Sequence, residues 1–286
     1  MAPTIDAHQH FWDPSRAEYP WMTDDLAVIR RAFTPEDLRP ELIANRIDKT
    51  VLVQTRSSLE ETRDFLALAG QSDFVAGVIG WVDLTDPAID RALADLRAGP
   101  DGRSLVGIRH QVHDEPDADW LCRPDVRRGL AAVARHGLVY DLLIRPREIP
   151  AALDTVAALP DLRFVIDHLA KPAIRERDFE AWQAGIAGFA AERAHVWCKL
   201  SGMVTEADWS TWRADDLRPY VLEALRVFGP ARCLFGSDWP VCLLAASYGA
   251  VRAGLLQCLD GLSAAELDRI FGGNAIEVYR LAETNT

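Results

Sequence analysis

Residues 128–143, RGLAAVARHGLVYDLL, contain in consecutive order the two kinds of element from which the fold is built. Residues 128–136 have the spacing of a helix, and Gly137 stands just after it, where glycine readily adopts the left-handed backbone that ends helices. Residues 138–143 are a short apolar run, typical of a buried strand. A helix followed at once by a buried strand predicts one unit of an α/β fold.

Runs of the same kind recur along the chain, and each is followed by a helix-like stretch. There are eight, at residues 4–8, 50–54, 75–82, 105–108, 138–143, 163–166, 196–199 and 233–235. This alternation is typical of a parallel sheet, and eight strands are the number that closes a barrel. No internal repeat or linker divides the chain. We therefore predict an α/β protein with one (β/α)8 TIM barrel domain over residues 1–286, with some distortion allowed.

Helix starts and long loops fit the same architecture. Asp86 and Pro87 form an N-cap with a proline in the first turn, and Ser263 with Glu266 spells a capping box. Long connections follow three of the predicted strands. In a barrel, such loops lie over the C-terminal face, where active sites are found. They cover residues 12–34, 112–123 and 201–213.

Composition excludes several classes of function. The chain has 286 residues with 31 basic and 43 acidic side chains, and the net charge of −12 argues against nucleic-acid binding. Five cysteines without a C-x-x-C spacing argue against a disulfide framework or a zinc knuckle. No apolar run reaches the roughly 18 residues of a membrane span, and no signal-peptide pattern is present. We expect a cytoplasmic protein without nucleic-acid or membrane partners.

Polar side chains gather at the ends of the predicted strands, where barrel enzymes hold their catalytic groups. Because side chains alternate along a strand, His8 and His10 should point to the same side. In a closed barrel the first and last strands are neighbours, which brings this pair towards Asp238. The polar residues at the predicted strand ends are His8, His10, Gln54, Asp83, Arg109, His110, Tyr140, His168, Lys199 and Asp238.

Four motifs in this order resemble the amidohydrolase superfamily across the whole chain. They are DAHQHFW at 6–12, VIDHLAKP at 165–172, FGSDWP at 235–240 and GNAxxxYRL at 273–281. More narrowly, the chain is similar to the branch that holds sugar lactonases, such as L-fuconolactonase and L-rhamnonolactonase, together with pyrone-dicarboxylate lactonase. The resemblance implies that His8, His10, His168 and Asp238 form the active site.

The chain departs from the metal-dependent members of this superfamily. Those members hold ions with a carboxylated lysine on the fourth strand or another histidine on the fifth, whereas here these strands offer Arg109, His110 and Tyr140. A binuclear centre would lack its bridging ligand. We expect that no metal is required, as the lactonase branch implies. A single or adventitious zinc could still be held by His8, His10 and Asp238.

The resemblance implies hydrolysis of a sugar lactone, with L-fuconolactone the best single expectation. Asp238 would act as general base for water, helped if burial raises its pKa, while His8, His10 and His168 would polarise the carbonyl. We expect a neutral substrate, since a dicarboxylate would need more arginines. The residues expected to bind substrate are Gln54, Trp81, Arg109, His110, Tyr140, Lys199, Trp239 and Trp12.

Other residues and other functions were weighed against these. His113 is a weak candidate at the rim, and the segment Lys171-Pro172 is expected to shape its loop. One alternative function is a zinc- or manganese-dependent hydrolase or decarboxylase acting on another small carboxylate or cyclic ester. Another is a carbohydrate-binding barrel without catalysis, which would not need all four site residues. The sequence leaves a homo-oligomer open.

Overall fold

Eight parallel strands form one sheet in the order in which they occur along the chain. This arrangement is seen in a computed structural model that describes residues 3–191 and 194–282. It confirms the predicted (β/α)8 barrel. The prediction of one domain over residues 1–286 stays a prediction, and residues 1–2, 192–193 and 283–286 lie outside the described part. The strands are β1 Ile5–Gln9, β2 Lys49–Val53, β3 Val75–Gly80, β4 Leu105–His110, β5 Val139–Leu142, β6 Arg163–Ile166, β7 Val196–Leu200 and β8 Cys233–Phe235.

Helices alternate with the strands, and none in the described ranges is long and apolar enough to cross a membrane. Gly137 follows α4 with a φ of 70°, and Ser263 with Glu266 caps α10, both as predicted. The start of α3 is later than predicted, because the Asp86 carboxylate accepts the N–H of Ala88 and forms a turn before the helix. The helices are α1 Pro35–Asn45, α2 Leu59–Gln71, α3 Ile89–Ala98, α4 Pro124–Arg135, α5 Ile149–Ala158, α6 Phe179–Ile186, α7 Met203–Glu206, α8 Ala214–Phe228, α9 Tyr248–Cys258, α10 Ala264–Asp268 and α11 Asn274–Tyr279.

The barrel closes between β1 and the residues just after β8. The N–H of His10 donates to the carbonyl of Trp239 at 2.8 Å, and the N–H of Asp238 donates to the carbonyl of His8 at 2.9 Å. The closing hydrogen bonds therefore join the two segments that carry the candidate catalytic residues. Backbone geometry alone brings Asp238 next to the first-strand histidines.

Alternate residues of each strand face two separate apolar layers. The inner layer fills the lower barrel and includes Val51, Val139 and Val165, together with Tyr279 of α11. The outer layer lies between strands and helices and includes Tyr140 of β5. Because Val139 faces inwards and Tyr140 outwards, the next residue of β5, Asp141, again faces the barrel interior. This alternation decides which polar residues can reach the site.

Candidate active site

His8 and His10 lie on the same side of β1, as their spacing predicts. Their Nε2 atoms are 3.1 Å apart, and both rings are buried. The Nδ1 atom of His10 lies 2.8 Å from the carbonyl oxygen of Val53. That oxygen can only accept, so His10 carries a proton on Nδ1, and its Nε2 atom faces the site.

Asp238 completes a compact group with three histidines. Its Oδ1 atom lies 3.4 Å from Nε2 of His10, 3.7 Å from Nε2 of His8 and 3.9 Å from Nε2 of His168. Asp238 has a φ of 57°, a left-handed conformation that aspartate tolerates better than most residues. The structure thus brings together the four residues predicted to be catalytic.

A hydroxyl group and a glycine hold His168 in place. Its Nδ1 atom lies 2.8 Å from the Ser201 hydroxyl oxygen. A Cβ atom on Gly202 would lie only 2.4 Å from the same Nδ1, so a side chain there would displace the ring. Gly202 also has a φ of 64°. Glycine is required at this position both by its backbone conformation and by the close approach of His168.

A buried ionic layer lies beneath this group. Arg109 donates to Asp167 Oδ2 at 2.9 Å and to the side-chain and backbone oxygens of Gln54, and its remaining N–H faces His8 Nε2 at 3.2 Å. Lys199 is fully buried and contacts Asp141 Oδ2 at 2.5 Å and Asp167 Oδ1 at 2.9 Å. All five N–H donors of Arg109 are therefore used inside the protein.

Lys199 also approaches the catalytic group from below. Its Nζ lies 3.3 Å from Nδ1 of His8, so each nitrogen of this histidine faces a cationic side chain. Lys199 has no access to a substrate, because its side chain is completely buried. The prediction that Lys199 binds substrate does not fit this position. We interpret it, with Asp167, as part of the support for His8.

A small cavity of about 150 Å³ opens directly above this group. Its volume suits a single small ring. His8 is not on the cavity wall, so it can act only through its neighbours. The walls include loops that follow β1, β4, β6 and β8. The lining residues are His10, Trp12, Trp21, Thr55, Arg109, Gln111, His113, Asp114, Leu143, His168, Lys171, Asp238 and Val241.

Most of the residues predicted to bind substrate lie elsewhere, and only Trp12 and Arg109 line the cavity. The prediction that Tyr140 binds substrate does not fit the structure, because alternation along β5 turns this side chain into the outer layer. Trp239 packs against Phe33 in that layer. His110 and Trp81 hydrogen-bond to each other, and His110 stacks on Trp120, away from the cavity. Gln54 is fully buried and serves Arg109.

Sequence reasoning missed several wall residues or gave them little weight. Thr55 and Gln111 each follow a residue that was singled out at the end of β2 or β4, so closer attention to neighbouring positions could have found them. Lys171 was expected only to shape its loop, and not to line the cavity. Trp21 lies in the long connection after β1 and lines the cavity. No local signal tells which of these turns inwards.

The electrostatics of the site keep His8 and His168 neutral and Asp238 ionised. Burial lowers the pKa of His168 to about 4 and holds that of His8 well below its usual value. Burial alone would raise the pKa of Asp238, but the His168 ring and the hydrogen bond with His10 outweigh burial and lower it. The pKa of Asp238 is therefore shifted down, and not up as burial alone would shift it. Asp238 is present as the carboxylate, the form that a general base needs, although a low pKa weakens its basicity.

Three of these donor atoms have a spacing that fits one zinc ion. Ligands about 2.0–2.1 Å from a tetrahedral zinc are separated by roughly 3.4 Å. The Nε2 atoms of His8 and His10 and the Oδ1 atom of Asp238 are separated by 3.1, 3.4 and 3.7 Å. The fourth position of such a tetrahedron could be open, since His10 and Asp238 line the cavity. The guanidinium of Arg109 beside His8 opposes a cation there.

A group of histidines and an aspartate at the mouth of a (β/α)8 barrel is the arrangement of a barrel enzyme, and a family model described as amidohydrolase matches residues 5–281. The chain belongs to the amidohydrolase family, and the protein is an enzyme of that family. The resemblance seen in the four sequence motifs is thereby confirmed.

Individual relatives are similar over nearly their whole length. A protein of Burkholderia multivorans named L-fucono-1,5-lactonase is 40% identical, with 98% of this chain and 96% of that protein covered. A protein of the same name from Burkholderia ambifaria is 41% identical, covering 97% and 95%. A crystal structure of an amidohydrolase from Burkholderia multivorans with bound zinc has a TM-score of 0.92 and 40% identity, covering 98% of this chain and all of that one.

Proposed function

We propose that the protein hydrolyses L-fucono-1,5-lactone, or a closely related aldonolactone, to the open-chain sugar acid. The observation that carries the proposal is a sequence identity of about 40%, across nearly the full chain, to two proteins named for this reaction. The geometry supports it, because a carboxylate and two imidazoles line a cavity of about 150 Å³, which has room for a single small ring.

Asp238 is the general base in this proposal. Its carboxylate faces the cavity and is ionised, so it can orient a water molecule and accept its proton as the oxygen attacks the lactone carbonyl carbon. The resulting tetrahedral intermediate carries a negative oxygen. His10 and His168 line the cavity beside Asp238 and are the candidates to stabilise that oxygen.

His8 is a positioning residue in this mechanism. Its ring is fully buried, 3.1 Å from His10 and 3.7 Å from Asp238, and it does not reach the cavity wall. Arg109 and Lys199 fix it from two sides. This differs from the expectation that all three histidines polarise the carbonyl, because His8 is fully buried and does not line the cavity.

We further propose that the reaction does not require a metal. Arg109 and Lys199 already place two positive charges next to His8, within the layer that supports the site. If zinc binds, His8, His10 and Asp238 would hold it, and it would supply Lewis-acid polarisation of the carbonyl. The bound zinc in the related Burkholderia multivorans structure makes metal-dependent hydrolysis the second candidate.

The walls favour a neutral sugar lactone over a dicarboxylate. Trp12 and Trp21 supply apolar ring faces, and Thr55 and Gln111 supply polar atoms. Arg109 has no N–H donor left for a substrate carboxylate, which leaves Lys171 as the cationic group on the wall with donors to spare. Two substrate carboxylates would therefore lack the paired arginines that bind such groups best.

The test is acid release from a panel of aldono-1,4- and aldono-1,5-lactones, corrected for spontaneous ring opening. The protein is assayed for bound metal, and each lactone is measured with and without a chelator. Turnover of a 6-deoxy-L-sugar lactone by metal-free protein supports both parts of the proposal. Activity that disappears on chelation and returns with zinc supports the metal-dependent candidate, and no turnover of any lactone rejects lactone hydrolysis.

We also propose a cytoplasmic location and leave the oligomeric state to be measured.

A further inference from the structure

Four consecutive residues after β6 have left-handed backbone conformations, although none is glycine. His168, Leu169, Ala170 and Lys171 have φ values of 53°, 54°, 59° and 48°. Such runs are unfavourable for L-residues and persist only where the surroundings enforce them. Here the surroundings do so, because Leu169 and Ala170 are fully buried and the carbonyl of Leu169 accepts the Trp182 indole N–H at 2.7 Å.

The result of this backbone path is that both ends of the run reach the cavity. The side chains of His168 and Lys171 line the same small space, with Asp238 in the same lining. Lys171 is held there by Glu206 at the end of α7, which accepts a hydrogen bond from its ammonium group. The side chains of this pair are 17% and 23% exposed, so the lysine lies largely shielded but open on its cavity side.

Lactone hydrolysis needs a third group besides the base and the oxyanion donors. When the ring C–O bond breaks, the ring oxygen leaves as an alkoxide and takes up a proton. The base and the oxyanion donors have candidates in Asp238, His10 and His168, whereas no separate proton donor for the ring oxygen has been assigned beside the carboxyl group that takes up the proton of water.

Most other wall groups cannot supply this proton. The indole N–H groups of Trp12 and Trp21 donate to backbone carbonyls, and the hydroxyl of Thr55 donates to a glutamate. Arg109 uses all five of its N–H donors on buried partners, so none faces a leaving oxygen. Burial, together with the charge of Lys171, lowers the pKa of His113 to about 3, so this imidazole is neutral.

Lys171 remains as the ammonium group on the described part of the wall. An ammonium has three N–H donors, of which Glu206 takes one, so two are left for the cavity. We propose that Lys171 is the general acid that protonates the ring oxygen as it leaves, an inference that rests on the proposed lactone hydrolysis.

The step balances as follows. Asp238 takes a proton from water, and the hydroxide oxygen forms a bond to the carbonyl carbon. As the tetrahedral intermediate collapses, its oxyanion re-forms the carbonyl, the ring C–O bond breaks, and the electron pair on the ring oxygen takes a proton from Lys171. The product acid ionises, Asp238 loses its proton, and Lys171 regains one from solvent. The net reaction is lactone plus water to hydroxy-carboxylate plus one proton.

The experiment varies the leaving group. In L-fucono-1,5-lactone the leaving group is an alkoxide that needs a proton, whereas in 3,4-dihydrocoumarin it is a phenoxide that can leave without one. We expect Lys171→Met to lower kcat on the sugar lactone by about 100-fold and on dihydrocoumarin by less than about 3-fold. Lys171→Arg keeps the charge but not the acid, so it should not restore the sugar-lactone rate. Lys49→Met removes a lysine that donates to a backbone carbonyl at the start of β2 and is the matched control.

Equal losses on both substrates, or full rescue by Lys171→Arg, would overturn the proposal in favour of simple charge-assisted binding. If wild-type protein turns over neither lactone, the proposed function itself fails.

If dihydrocoumarin alone is not a substrate, the test moves to Lys171→Ala on the sugar lactone. Added ethylammonium, which can donate a proton, should then raise kcat, while tetramethylammonium, which cannot, should have no effect. Equal responses to the two cations would overturn the proposal.

Discussion

Replacement of Gly202 by alanine should damage catalysis far more than stability. The added Cβ would lie 2.4 Å from Nδ1 and 2.6 Å from Cγ of His168, whereas ordinary contacts begin at about 3.4 Å. The imidazole must therefore move by about 1 Å. A displacement of this size at a reacting centre lowers rates by about 100-fold. The left-handed φ of 64° adds a destabilisation of about 1–2 kcal/mol for a residue with a Cβ.

Gly137, just after α4, provides the matched control for this variant. Its φ of 70° is similarly left-handed, and a Cβ there would make only an ordinary contact, 3.7 Å from the Arg280 side chain. Gly137→Ala should show a similar loss of unfolding free energy in urea and unchanged kcat. Gly202→Ala should show that loss and, in addition, a kcat on L-fucono-1,5-lactone lowered by about 100-fold. If the two variants have equal kcat at equal folded fraction, the placement of His168 does not matter for the reaction and our assignment of it is refuted.

Three further predictions concern the base, the buried cation and a wall histidine. Asp238→Asn should lower kcat by at least about 100-fold with an unchanged circular dichroism spectrum, and turnover near the wild-type level would exclude Asp238 as the base. Lys199→Met removes the lysine that pairs with two buried carboxylates, Asp141 and Asp167, although Asp167 keeps its contact with Arg109, and should lower the unfolding free energy in urea by about 3–5 kcal/mol. Tyr140→Phe removes a buried hydroxyl that has no hydrogen-bond partner among the described residues, and should change the unfolding free energy little. Because the folded pKa of His113 is about 3 and the unfolded value is 6.5, the unfolded chain binds more protons below pH 6.5, and stability is lost as pH falls from there towards 3. The unfolding free energy of wild type relative to His113→Gln should therefore fall by about 2 kcal/mol between pH 7.5 and pH 5, and a constant difference would show that this histidine is not held neutral.

The sequence patterns that were read correctly are those set by local geometry. Alternation along a strand places His8 and His10 on one side, and a capping box begins α10 at Ser263. Such patterns depend on bonds between residues that are close in the chain, so they can be recognised without the fold. The motif around Asp238 was also recognised, and the closing hydrogen bonds of the barrel explain why it meets the first strand.

Tyr140 shows where this reasoning fails. A strand end offers two neighbouring residues with opposite directions, and only the register of the barrel decides which faces inwards. In β5 the inward residue is Asp141, which pairs with Lys199 in the buried ionic layer. The local sequence does not show which of the two faces inwards, because they are neighbours in the same short, largely apolar run, residues 138–143.

By itself, the sequence determined the eight-fold alternation of strand and helix, the family, and the group of His8, His10, His168 and Asp238. These follow from periodicity and from motifs within short segments. The tertiary structure was needed to show that the N–H donors of Arg109 bind buried partners, that Lys199 lies out of reach of substrate, and that Lys171 faces the cavity. The physical reason is that burial and hydrogen-bond saturation depend on contacts between residues 50 to 200 positions apart, which local sequence does not encode.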